Sequence, residues 1–391
     1  MNKDPRNIVF DWFSPTRILF GPGSIEALHD IGRAIGKLPL LVTGKNMVKQ
    51  TGLLARIQKL WDGPMETFHS IEPDPCDEQV MAGVRTFEAG NCDWLLAVGG
   101  GSVIDAAKAM ALVLAHGERP LEYTGQEISL QPLPVVAVPT TAGTGSEVTR
   151  YAVISDSKQS RKVTIKNRLG CPAAALVDPA LTLDLPPYVT WCTGVDAFIH
   201  CFEALVSRES APLVDSLALR AIGQVIHNLP LVDAEPKNLQ ARVELHEAAL
   251  VGGLVINTVR TGIIHTMANH LGARYHLAHG HSLGVLASVC TRFNAPTCGE
   301  ALRKVLQAAG VESADPSEGM DSVWSSLLSG HQLDRFTVSA PPAEETLRDL
   351  TELVSRDRRL FEVNPRCLEL SDITQLYREV FRANSVGQAV R

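Results

Sequence analysis

Short, unbroken apolar runs bounded by glycine and proline constrain this chain most. LPLLVTG, residues 38–44, is too short for an ordinary helix and reads as a strand buried on both faces. WLLAV (94–98) and VVAVP (135–139) read as further strands. Helical patterns lie between them, such as CDEQVMAGVRTFEAG from Cys76 and VIDAAKAMALVLA from Val103. Strand and helix in alternation predict an α/β fold with a parallel sheet and helices on both faces. Residues 8–20, IVFDWFSPTRILF, add an N-terminal strand broken at Pro15.

After Tyr188 the period changes from two to 3.6. TWCTGVDAFIHCFEALVS, NLQARVELHEAALVGGLVIN and GIIHTMANHLGA all read as helices, and no strand pattern follows Pro187. At 391 residues, two domains are expected. The proline pair Pro186-Pro187 divides them: residues 1–187 as an α/β dinucleotide-binding domain, 188–391 as an all-helical domain.

Composition narrows the function. A formal net charge of −7 offers no basic surface for nucleic acid. No apolar run reaches the roughly 18 residues of a membrane helix, and residues 1–13 lack a signal core. A cytoplasmic location is the expectation. The eight cysteines are scattered without a CxxC pair and read as reduced, small buried side chains.

Three stretches carry chemistry. Gly99, Gly100, Gly101 and Ser102 follow a buried strand and open a helix, where glycine admits a close ligand and free amides favour an anion. This reads as a pyrophosphate cradle, although it is not the G-x-G-x-x-G fingerprint. Ser102 with Asp105 resembles a capping box. PTTAGTGSEVT, from Pro139, lies between two strands, and Thr140, Thr141, Thr144 and Ser146 supply hydroxyls for a ligand. Lastly, TGIIHTMANHLGARYHLAHGH holds five of the twelve histidines, while upstream Asp196 and His200 stand four apart on one helix face. Asp196, His200, His265 and His279 make a ligand set suited to one divalent metal such as Fe(II), Zn(II) or Mn(II).

GGGSVIDAAKA, PTTAGTGSEVT, VDPALTLDLPP, and the set GVDAFIH, H-x-M and AHG occur in one order across nearly the whole chain. Together they resemble the group III, iron-containing alcohol dehydrogenases. The resemblance implies a dehydroquinate-synthase-like architecture, a nicotinamide cofactor, one divalent metal, and a dimer or larger assembly. It maps the metal ligands onto Asp196, His200, His265 and His279 and the pyrophosphate loop onto Gly99 to Ser102. It places Thr140 to Thr144 along the cofactor and Lys162 near its phosphates, with Asp74 and Leu181 also assigned to the cofactor site. The implied activity is hydride transfer between the nicotinamide and a small alcohol or aldehyde. The competing readings are a lyase like dehydroquinate synthase and a cofactor-binding member without turnover.

Three departures from the family pattern matter. Gly44, followed by Lys45, stands where the family often has an Asp for the adenosine ribose, which leaves room for the 2′-phosphate of NADP. Asn269 stands where the family places a proton-relaying His, so His270 or His276 must substitute or solvent must. Arg260 lies five residues before His265, and Arg150 and Tyr151 follow PTTAGTGSEVT. Arginines there suit an anionic alcohol or aldehyde.

Overall fold

The computed structural model describes residues 10–45, 52–125, 127–158, 161–338 and 342–384. Its strands in chain order are β1 (Arg17–Phe20), β2 (Pro39–Gly44), β3 (Glu66–Ile71), β4 (Trp94–Gly99), β5 (Glu127–Ile128), β6 (Val135–Pro139), β7 (Tyr151–Asp156), β8 (Arg161–Asn167) and β9 (Ala174–Val177). Helices α1 (Leu28–Ile35), α2 (Leu53–Trp61), α3 (Asp77–Ala89) and α4 (Gly101–His116) alternate with the first strands. After β9 come α5 (Pro187–Val206), α6 (Pro212–Ala234), α7 (Leu239–Val259), α8 (Ile263–Tyr275), α9 (His279–Ala309), α10 (Pro316–Leu328), α11 (Glu344–Ser355), α12 (Arg358–Val363) and α13 (Leu370–Asn384). No named strand follows Val177 among the described residues. The N-terminal strand is shorter than expected, and its residues 8 and 9 lie outside the described residues.

Six strands form one parallel sheet in the order β1-β9-β6-β4-β2-β3. The apolar runs alternate between its faces, as period 2 requires. Leu40, Val42, Leu95, Ala97, Val135 and Ala137 pack with α3 and α4, while Leu41, Leu96, Val98, Val136 and Val138 pack with α1 and α2. Each Leu or Val among them, fully buried, contributes about 1.5–3 kcal/mol. From β2 the chain moves to β3 in one direction, then through β4 to β6 in the other. The order therefore reverses between β2 and β4, where Gly44 and Gly99 end their strands, and ligands of open α/β sheets bind at such a reversal. A smaller sheet adds β5 parallel and β7 antiparallel to β8.

The chain forms two compact units, and it crosses between them more than once. One is Phe13–Leu185 with Glu235–Asn257; the other is mainly Pro186–Ala234 and Thr258–Arg391. Most of α7 thus belongs with the α/β unit, although its period and position group it with the later helices. A glycine pair permits the close approach. Gly145 has φ +61°, and a Cβ built on it stands 2.4 Å from the Gly253 Cα. One built on Gly253 stands 2.6 Å from the Gly145 carbonyl oxygen. Asn257 completes the seat, accepting the Arg150 amide at 3.0 Å and donating to the Phe13 carbonyl at 2.9 Å. Among the described residues α5 is the one single helix long and apolar enough to cross a membrane, which corrects the expectation of none. Its apolar surface is buried in the protein core instead. All eight cysteines are unpaired.

His246 on α7 is fully buried, and neither ring nitrogen has a hydrogen-bond partner. Phe20 meets its ring edge-on at 6.5 Å. Burial lowers its pKa from 6.5 to about 3. The native state therefore refuses a proton that the unfolded chain accepts below pH 6.5, so this contribution to stability is complete above that pH and lost as pH falls toward 3. At pH 5 the loss is about 2 kcal/mol relative to pH 7. His246→Leu should shrink the drop in unfolding free energy between pH 7 and pH 5, measured in urea, by about that amount. An unchanged drop would show that the imidazole titrates freely in the folded protein.

Candidate functional site

Pro187 opens α5, and its fixed φ suits the first helical position. Asp196, His200 and Glu203 follow at i, i+4 and i+7, so all three leave one face of a buried helix. His265 arrives from α8 and His279 from the first turn of α9. The imidazole Nε2 atoms of His265, His200 and His279 lie 3.2, 3.5 and 3.6 Å from Asp196 Oδ1. The His200 and His265 rings stack with centroids 4.5 Å apart. Ligand atoms of Asp196, His265 and His279 all fall within 4.8 Å of one another. Two donors each about 2.1 Å from one ion in tetrahedral geometry stand about 3.4 Å apart, so this cluster has the dimensions of a metal site. One carboxylate with three imidazoles also has the donor chemistry.

The cluster is electrostatically tight. Burial alone would raise the Asp196 carboxyl, but His200, His279 and His265 outweigh it and hold the group well below the usual carboxylate range. His265 shows the converse: burial lowers it, while hydrogen bonds to Asp196 and Glu203 prevail and raise it to about 9. The Asp196, His200 and His265 side chains are buried, and that of His279, 32% exposed, is the solvent-facing member.

Two glycines make the convergence sterically feasible. A Cβ on Gly280 would lie 2.0 Å from the Cys192 carbonyl oxygen, so only glycine lets the start of α9 reach the α5 backbone. A Cβ on Gly262 would lie 2.9 Å from Glu203 Oε1. The sequence reading passed over Glu203, although its spacing from Asp196 and His200 on one helix face was a usable signal.

In the α/β unit, β4 leads into the Gly99–Ser102 turn, and the PTTAGTG loop lies against it. Thr140 donates its amide to the Gly99 carbonyl at 3.0 Å. A Cβ on Gly100 would meet Thr141 Oγ1 at 3.2 Å, and one on Gly101 would meet Thr144 Cγ2 at 2.6 Å. The helix amides at this turn thus head α4 beside a hydroxyl-rich wall, which suits a phosphate. A Cβ on Gly44 would have the Ile71 carbonyl at 3.3 Å and Val103 at 3.9 Å, so the β2 end adjoins the same turn. Lys162, its side chain 6% exposed, pairs with Asp74 Oδ1 at 2.6 Å, and the Asp74 amide donates to Ser102 Oγ at 3.3 Å. Asp74 has φ +55°. Lys45 pairs with Glu72 at the surface. Leu181 packs with the core of α1 and α2.

The expected capping box is absent. Gly100 is the N-cap of α4, with no side-chain cap, and Asp105 is used elsewhere. It accepts from Ser146 Oγ and from the Val153 amide at 2.9 Å, and it pairs with buried Lys108 at 3.0 Å. Lys108 in turn donates to the Ser146 and Thr149 carbonyls at 3.0 and 3.3 Å. This buried pair sets the shape of the Thr/Gly loop. The spacing Asp105, Lys108 and Ser146 gave no warning of it, because the contact is non-local.

The other expected residues have the following surroundings. Arg150 pairs with Glu127 at 3.1 Å and donates to the Asn257 carbonyl, so its guanidinium holds α7 in place. Tyr151 is half-buried at the start of β7 and lies under the Arg150 guanidinium. His270 leaves α8 five residues after His265, about 140° around the helix. His276 is exposed and terminates α8 with φ +53°. Neither joins the ligand cluster. Arg260 has φ +66°, an uncommon conformation for a residue with a side chain, immediately before the turn that Glu203 holds.

Known proteins resemble this chain in sequence and fold. A family described as iron-containing alcohol dehydrogenase matches residues 15–179, and the C-terminal part of the Fe-containing alcohol dehydrogenase family matches residues 190–381. The 1,3-propanediol dehydrogenase of Citrobacter freundii is 31% identical over 389 residues, covering 95% of this chain and 99% of that protein. The crystal structure of a 1,3-propanediol oxidoreductase superposes with a TM-score of 0.88 at 28% identity, covering 95% of this chain and 100% of the other. A sulfoacetaldehyde reductase from Bifidobacterium kashiwanohense in complex with NAD+ superposes with a TM-score of 0.86 at 28% identity, covering 97% and 100%.

Proposed function

Because this chain belongs to the iron-containing alcohol dehydrogenase family, we propose that it is a metal-dependent, NAD(P)-linked alcohol dehydrogenase or aldehyde reductase. The observation that carries the reading is the buried convergence of Asp196, His200, His265 and His279. Their donor set and spacing fit one divalent ion, with Fe(II) as our choice and Zn(II) or Mn(II) as alternatives. When bound, the metal supplies Lewis acidity and the nicotinamide gives or takes the hydride. The protein's own part is placement. Asp196 supplies the one negative charge among the four ligands, and the Asp105–Lys108 pair shapes the loop for the dinucleotide. The Gly99–Ser102 turn receives the pyrophosphate, flanked by Thr141, Thr144 and the Lys162–Asp74 pair.

Gly44 has no carboxylate to repel a 2′-phosphate, so we include NADP as a cofactor, with Lys45 leaving Glu72 to meet it. Such an exposed pair is worth at most about 1 kcal/mol, so this exchange is cheap. For the substrate we favour a small aldehyde or alcohol bearing an anion. The support is Arg260, held in a strained conformation two residues before the Gly262 amide, together with the likeness to a sulfoacetaldehyde reductase. We place the enzyme in the cytoplasm as a homodimer or larger assembly.

The test is anaerobic purification with elemental analysis, then NADH and NADPH oxidation against neutral and sulfonate- or carboxylate-bearing aldehydes. One metal per chain and turnover on the panel are expected. Arg260→Gln, which removes the charge and keeps the length, should raise KM for an anionic aldehyde at least about tenfold and leave a neutral one within about twofold. Equal effects on both would reject the anionic reading, and absence of metal and of turnover would reject the enzyme itself.

A further inference from the structure

We propose that Glu203 is the positioning residue of the metal centre. It fixes the tautomer and orientation of His265 and couples that ligand to the start of α8. The inference rests on the metal reading above and adds a residue to it.

The geometry is specific. Glu203 is 3% exposed, and both carboxylate oxygens are committed. Oε1 accepts the Ile264 amide at 2.6 Å. Oε2 accepts the Gly262 amide at 2.8 Å and lies 2.7 Å from His265 Nδ1. An ionised carboxylate only accepts, so Nδ1 carries the hydrogen and Nε2 is left as the ligating atom. Nε2 is the nitrogen that lies 3.2 Å from Asp196 Oδ1. The same two oxygens satisfy backbone donors that the first turn of α8 leaves open, and α8 has no side-chain cap from its own N-cap residue, Gly262. One buried side chain therefore both terminates the helix and aims its ligand.

Gly262 is an independent sign that the contact is built in. A Cβ there would stand 2.9 Å from Oε1 and 3.2 Å from Cδ of Glu203, so any larger residue displaces the carboxylate. Two residues after His265, the buried Tyr377 hydroxyl donates to the Met267 carbonyl at 2.9 Å, a second hold on α8. With the helix pinned at both points, His265 keeps little freedom apart from the rotation that Glu203 removes.

Glu203→Gln breaks this arrangement in either amide orientation. If the NH₂ faces His265 and Gly262, a donor opposes donors and the imidazole is driven to the wrong tautomer. If it faces Ile264, the helix amide loses its acceptor. Gly262→Ala displaces the carboxylate without touching its charge and serves as the second variant. The experiment uses the full chain, stripped of metal and titrated with Zn(II) against a chromophoric chelator, then loaded with Co(II) for its visible absorption spectrum. Apo thermal unfolding is recorded alongside.

Wild-type protein is expected to bind one equivalent. Each variant should bind Zn(II) roughly 10- to 100-fold more weakly and give an altered Co(II) ligand-field spectrum. A purely structural cap would lower the apo melting temperature while leaving affinity and spectrum unchanged, and that result overturns the inference. Failure of the wild type to bind either metal overturns instead the metal reading on which it rests, and the two failures are distinguished by the wild-type titration alone.

Discussion

Asp196→Asn is expected to empty the metal site and lower kcat/KM by at least about 10³-fold, or about 4 kcal/mol of transition-state stabilisation. Asp196 Oδ1 is the common point of the cluster, with three imidazole nitrogens 3.2 to 3.6 Å away. It is the only anion among the four proposed ligands, and its carboxyl is held low because those imidazoles overcome its burial. The amide keeps the shape and removes the charge, so the effect reads electrostatics and ligation rather than packing. Metal content after dialysis against a chelator should fall from about one per chain to less than about a tenth. Far-UV circular dichroism of the apo protein should be unchanged. Full metal content with a rate within tenfold of wild type would mean that Asp196 is not a ligand.

Gly280→Ala should cost about 3 kcal/mol or more and weaken metal binding at least tenfold. The added Cβ would stand 2.0 Å from the Cys192 carbonyl oxygen and 2.6 and 2.7 Å from its C and Cα. Those are backbone atoms of α5, which cannot rotate away as a side chain can. The first turn of α9 must therefore shift, and His279, its first residue, shifts with it. Gly299, just past the break in α9 at Cys298, supplies the control. A Cβ there meets nothing within 4 Å, so Gly299→Ala should be neutral or stabilise by up to about 1 kcal/mol. The checks are denaturant unfolding and metal titration of both variants. Equal stabilities would show that the two helices have slack at this contact.

Much of this protein was legible before its structure. The apolar runs at β2, β4 and β6 announced buried parallel strands, because a strand covered on both faces has no polar positions to alternate with. The change to a 3.6 period after Pro187 announced the helices. Asp196 and His200 were legible because four residues are one helical turn, and the glycine turn because a strand, three glycines and a helix are contiguous. His265 and His279 were found as types and spacing, not as neighbours. The capping-box reading failed for a physical reason. Ser102 and Asp105 matched a local capping pattern, but Asp105 found a stronger set of partners 41 and 48 residues away, at Ser146 and Val153. Arg150, expected near a substrate, is engaged by Glu127 and by the Asn257 carbonyl, contacts that its sequence neighbours do not announce.

The residues alone settled what is periodic and contiguous: strand, helix, turn, and the ligand types available to a metal. Tertiary structure decided everything that depends on two distant segments meeting. It gave most of α7 to the α/β unit, where Leu250 packs with Val148, Ala175 and Val177 and two glycines leave no Cβ between Gly145 and Gly253. It chose Glu203 as the partner of His265 because Gly262, 59 residues later in the chain, leaves room for a carboxylate. Local pattern cannot encode such choices, since steric fit and hydrogen-bond competition act between atoms whose separation along the chain carries no information about their separation in space.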